Sequence, residues 1–142
     1  LRVGLTLLSL LLIIIGFGIW LSPGELDFTS PYNPFKTEQA KEQYLKLYDK
    51  RAAKWPVSST TKMVNTSFGQ TFVRISGQKN ATPLVLMHGV GGNSLQWISN
   101  IESLSKHYRL FAIDNVYDNG RSIPRKFITS AKDYVNWLNE LF

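Results

Sequence analysis

Three kinds of apolar pattern run along the 142 residues. The first is unbroken: residues 3–21 carry no charge and are apolar apart from Thr6, Ser9 and three glycines. As a helix, such a stretch is roughly 28 Å long, close to the thickness of a bilayer's hydrocarbon core. The second has helical spacing. Ala40, Tyr44, Leu47 and Tyr48 recur among charges up to Trp55-Pro56, Leu95, Ile98, Ile101 and Leu104 recur every third residue, and Tyr134, Trp137, Leu138 and Leu141 share one face. The third is the strand pattern. Residues 61–76 alternate around a Ser67-Phe68-Gly69-Gln70 turn, which predicts a hairpin. Residues 84–87 are continuously apolar, as in a strand buried on both faces, and 108–114 form a further strand ending in Asp114. Helix starts are signalled by Thr37 ahead of Glu38, and by Ser130 three residues before Asp133 in the spacing of a capping box. A hairpin followed by β-α-β-α predicts an α/β fold with right-handed crossovers.

The unbroken block separates from the rest. Residues 1–22 read as a transmembrane anchor or a signal peptide, 23–35 as a proline-containing linker, and 36–142 as the folded domain. Arg2 precedes the block and Glu25 and Asp27 follow it, so the positive-inside rule places the domain outside the cytoplasm, anchored or exported. The chain begins on leucine and stops at Phe142 in mid-pattern, without a cap, as expected of a fragment.

Composition narrows the chemistry. There are no cysteines, which excludes a disulfide scaffold and thiolate catalysis. Two histidines, His88 and His107, stand far apart with no ligand spacing around them, so no metal is expected. The net charge of +6 is spread along the chain without a basic block, and no nucleic-acid footprint is implied.

The chemical signal is the turn after the 84–87 strand: His88-Gly89-Val90-Gly91-Gly92-Asn93-Ser94. One reading is a dinucleotide-binding turn with Gly89, Gly91 and Asp114, since a strand precedes it, a helix follows and an acid ends the next strand. Against it, the third glycine is Ser94, a hairpin precedes the strand, and His88 has no place in that motif. A nucleotide-triphosphate loop lacks its Gly-Lys-Ser/Thr. The other reading is an oxyanion hole, in which glycines let backbone N–H groups approach a substrate carbonyl. A non-catalytic, membrane-tethered interaction module is a third possibility.

Several short matches in order support the oxyanion reading: Trp55-Pro56-Val57, Phe68-Gly69-Gln70-Thr71, Ser76-Gly77, Pro83-Leu84-Val85-Leu86 with His88-Gly89, Trp97, Asn100-Ile101, Tyr108-Arg109, Ala112-Ile113-Asp114, Ser122-Ile123-Pro124, and Asp133-Tyr134 with Asn136-Trp137-Leu138. In these the chain resembles the α/β-hydrolase superfamily, and within it bacterial carboxylesterases of the naproxen-esterase type. Tyr117 departs from the pattern, standing where many members have glycine. The resemblance implies a serine hydrolase of small-molecule carboxylic esters that needs no cofactor. It makes Val90 the oxyanion backbone N–H within a loop of His88, Gly89, Gly91 and Gly92.

It also implies a nucleophile in a G-x-S-x-G elbow, which 36–142 lacks, so the domain is expected to be an incomplete α/β-hydrolase domain, inactive alone. Ser94 is expected to be a helix N-cap, His88 a structural histidine shaping the turn, His107 an exposed loop residue and Asp114 a fastener of the loop after its strand. The 84–87 strand should show an open edge where the next strand of that fold would pair.

Overall fold

In the computed structural model, residues 34–142 are described. The expected anchor or signal helix and most of the linker lie outside the described residues. Among the described residues no helix is long and apolar enough to cross a membrane.

Helix α1 (Glu38–Ala52) starts where Thr37 accepts the Ala40 N–H at 3.0 Å. Glu38 stands in its first turn and Lys50 and Arg51 in its last, as the helix dipole favours. The hairpin pairs β1 (Ser59–Thr66) with β2 (Gly69–Ser76), from Ser59↔Ser76 to Thr66↔Gly69. Gly69 has φ +135, and a Cβ there would lie 2.2 Å from the Ile123 carbonyl oxygen. That close approach lets β5 (Ile123–Pro124) pair with the start of β2. Strand β4 (Tyr108–Ile113) runs antiparallel to β2 and parallel to β3 (Thr82–Leu86), giving the order β1-β2-β4-β3.

Between β3 and β4 the expected helix begins as a short 3-10 turn (Ser94–Trp97) and continues as α2 (Ile98–Leu104). Helix α3 (Ala131–Leu141) opens with Ser130 accepting the Asp133 N–H at 3.1 Å. Asp133 does not complete a reciprocal box; its carboxylate reaches one residue further back, to the N–H and hydroxyl of Thr129.

Helices cover both faces of the sheet, because alternate residues of a strand point to opposite sides. On one face Phe72 packs with Tyr48 and Leu95, and Leu86, Leu110 and Ala112 pack with Ile101. These contacts place α1 and α2 there. On the other face Trp137 of α3 is buried with Phe68 and Val116, and its indole N–H donates to Thr71 at 2.9 Å. The expectation for β3 needs correcting. Only Leu86 is buried, while Thr82, Pro83 and Val85 are exposed. The cause is position: among the described residues β3 has a single sheet neighbour, β4, and its other edge is open.

Candidate functional site

The glycine turn leaves β3 at its C-terminal end, where the parallel pair β3–β4 diverges and the loop after β4 begins. Its backbone donors have distinct fates. The Gly89 N–H points to the Gln96 side-chain oxygen at 3.3 Å, Gly91 N–H to Asp118 Oδ1 at 3.2 Å, and Gly92 N–H to the Gly89 carbonyl at 3.1 Å. Val90 N–H meets no acceptor among the described residues, and the Val90 side chain is fully exposed. Gly91 has φ +72 with open space around it, so the turn depends there on a backbone conformation that glycine adopts freely.

His88 is the pivot under this turn. Its imidazole is enclosed, with 0% side-chain exposure. Nε2 accepts the Asn115 N–H at 3.0 Å, which leaves Nδ1 to carry the proton and donate to the Gly89 carbonyl at 2.8 Å. Both ring nitrogens are therefore occupied in the neutral Nδ1–H tautomer. Asp118 Oδ2 stands 3.9 Å from Nδ1 and accepts from the Asn115 amide at 3.2 Å, so one carboxylate braces both the histidine and Gly91. His107 lies exposed before β4.

Asp114 fastens the second loop. Fully buried, it accepts the Ser94 N–H at 2.8 Å on one oxygen, and the Arg121 N–H at 2.8 Å and the Tyr48 hydroxyl at 3.0 Å on the other. Gly120 permits this arrangement, because a Cβ there would fall 2.5 Å from the carboxylate. A carboxylate so enclosed has no oxygen free for a ribose hydroxyl, which removes the acid that the dinucleotide reading needs.

Ser94 is not the N-cap. Asn93 caps the 3-10 turn by accepting the Leu95 N–H at 3.0 Å, and Ser94 sits one residue later, fully buried, with its hydroxyl 3.1 Å from that of Tyr48. The chain turns inward one residue sooner than the serine signal implied, because Asp114 holds the Ser94 N–H from below.

Helix α1 holds both loops from outside. Tyr44 donates to the Asn119 carbonyl at 2.8 Å and accepts from the Asn93 amide at 2.9 Å, Tyr48 reaches Ser94 and Asp114, and Asp49 pairs with Arg121. Burial, reinforced by the Asp114 charge, pushes the Tyr48 hydroxyl's pKa well above the ordinary phenol range. Tyr44 is raised as well, chiefly by burial. Sequence periodicity marked the two tyrosines as an apolar stripe and missed their hydroxyls; for Asp118, Gln96 and Asn115 no sequence signal existed. Among the described residues no three histidine or carboxylate side chains converge to hold a metal.

No family model matches the chain. Its sequence is 39% identical over 100 residues to the uncharacterized carboxylesterase nap of Bacillus subtilis, covering 70% of this chain and 33% of that protein. It is 32% identical over 108 residues to carboxylesterase YbfK of the same organism, covering 76% and 36%. Among solved structures, the naproxen esterase (carboxylesterase NP) of Bacillus subtilis superposes with a TM-score of 0.71 at 37% identity, over 75% of this chain and 37% of that one. The chain thus spans about a third of the length of the relatives it matches.

Proposed function

From the premise that this chain resembles bacterial carboxylesterases of the α/β-hydrolase superfamily, we propose that it supplies the oxyanion side of a serine carboxylesterase site and not the nucleophile. The observation that carries this reading is the unpaired Val90 N–H. In a turn whose Gly89, Gly91 and Gly92 donors are all engaged, one donor is left without an acceptor among the described residues, at the C-terminal end of a parallel strand. A hydrogen-bond donor held in place before reaction stabilises the negative oxygen of a tetrahedral intermediate without reorganising as charge develops. The substrate is a small carboxylic ester. The protein of which this domain is part is held at a membrane through residues 3–21 or exported, with the domain outside the cytoplasm.

By itself the chain does not turn over esters. Neither nitrogen of His88 is free to act as base, and the Ser94 hydroxyl is buried against Tyr48. Incubation of the purified chain with p-nitrophenyl butyrate tests this: release at the uncatalysed rate is expected. Turnover that disappears on Ser94→Ala would overturn the assignment by making Ser94 the nucleophile.

An interaction module remains the second reading, favoured by one feature, the open edge of β3. Its partner would supply a strand pairing with residues 82–86.

A further inference from the structure

The face of α1 turned away from the domain has a composition of its own. Tyr44, Tyr48 and Ala52 point inward to the core, whereas Lys46, Lys50 and Lys54 follow one another at four-residue spacing on the opposite side. Lys54 lies in the turn just past the helix end. All three lysines are exposed, and none has a carboxylate within salt-bridge distance among the described residues. Glu42 precedes Lys46 by one turn in the same row, and Asp49, beside the row, is already paired with Arg121. In the middle of the basic stripe stands Leu47, 68% exposed, an apolar side chain that packs on nothing in the domain core. The helix dipole accounts for cations in the last turn, but not for Lys46 one turn earlier or for an outward leucine.

We propose that the outer face of α1 docks on an anionic phospholipid surface, with Leu47 entering the headgroup boundary and the lysine stems reaching out to lipid phosphates. Basic side chains flanking an exposed apolar residue on a helix match such a surface in both charge and polarity. The inner face keeps its bonds to the glycine turn and the Asn119–Arg121 region, so docking needs no unfolding of α1. The turn then lies about one helix diameter, ~10 Å, from the lipid. This inference does not depend on the apolar block at residues 3–21: association with neutral lipid reports that block, and dependence on lipid charge reports α1.

The test uses the full 142-residue chain carrying Leu47→Cys, which introduces its sole thiol, labelled with an environment-sensitive nitrobenzoxadiazole dye. Emission is compared in phosphatidylcholine nanodiscs with and without phosphatidylglycerol, with Lys79→Cys, in an exposed loop, as the position control. A blue shift at position 47 only with phosphatidylglycerol is expected, reversed by about 1 M salt, where the screening length falls to roughly 3 Å. Lys46→Gln, Lys50→Gln and Lys54→Gln together should weaken docking about a hundred-fold, roughly five-fold per lysine. Emission that is the same in both lipids, or a shift that survives the triple substitution, would overturn the proposal.

Discussion

Replacing Tyr48 by phenylalanine removes one oxygen from the centre of the network that joins α1 to both loops. The ring keeps its place: it meets Phe72 edge-on at 6.2 Å, and the Arg121 guanidinium stands 5.4 Å above it. What is lost is a buried hydrogen bond to the Asp114 carboxylate at 3.0 Å and a contact with the Ser94 hydroxyl at 3.1 Å. A hydrogen bond to a charged group contributes about 1.5–3 kcal/mol, and Asp114 keeps its two backbone donors, so the cost should be about 2 kcal/mol. For a domain of this size that lowers the melting temperature by roughly 10 °C.

The four tryptophans allow unfolding to be followed by fluorescence in urea near neutral pH and again at about pH 11. The sign of the pH effect follows from the raised Tyr48 pKa. Above the ordinary phenol value of about 10 the unfolded chain releases this proton while the folded chain retains it. The hydroxyl's contribution is therefore complete below pH 10 and lost as pH rises beyond it. Wild type and Tyr48→Phe should differ near neutrality and converge in alkali. A variant as stable as wild type at neutral pH, or a gap unchanged at about pH 11, would refute the reasoning.

Trp137→Phe should cost about 2–3 kcal/mol in the same urea titration, because it shrinks a fully buried ring and strands the fully buried Thr71 hydroxyl. Gly91→Ala should cost about 1 kcal/mol, from backbone strain at φ +72 alone, since no atom lies within 4 Å of the new Cβ. Glu140 is held below its ordinary carboxylate pKa by the Ser67 N–H and hydroxyl. Its stabilisation is thus present above pH 4.5 and lost as pH falls through the lowered value, and Glu140→Gln should flatten the acid limb of the stability profile.

Local patterns with short reach were legible in the residues. Thr37 and Ser130 cap their helices because a side-chain oxygen in extended backbone can reach an N–H three residues on, and the hairpin turn follows from Gly69. The tight turn after β3 was visible in its glycines. What could not be read was set by contacts between distant segments. Asp114 lies 66 residues from Tyr48, and its hold on Ser94 N–H moved the cap to Asn93. Asp118 carries no local motif; only the folding of the loop after β4 over the turn brings it to Gly91. The apolar run at residues 84–87 described a strand with neighbours on both sides, whereas among the described residues β3 pairs only with β4 and leaves Val85 exposed.

The central claim, that Val90 N–H is an oxyanion donor, is tested most directly in the naproxen esterase of Bacillus subtilis with its matching segment exchanged for residues 36–142 of this chain. Val90→Pro removes the N–H and Val90→Ala keeps it, and Gly89 tolerates the extended backbone that a following proline demands. With p-nitrophenyl butyrate as substrate and equal melting temperatures for the two variants, the alanine form should retain kcat within a few-fold. The proline form should lose about 10²–10³-fold in kcat with KM little changed. Equal kcat in the two variants would contradict the account.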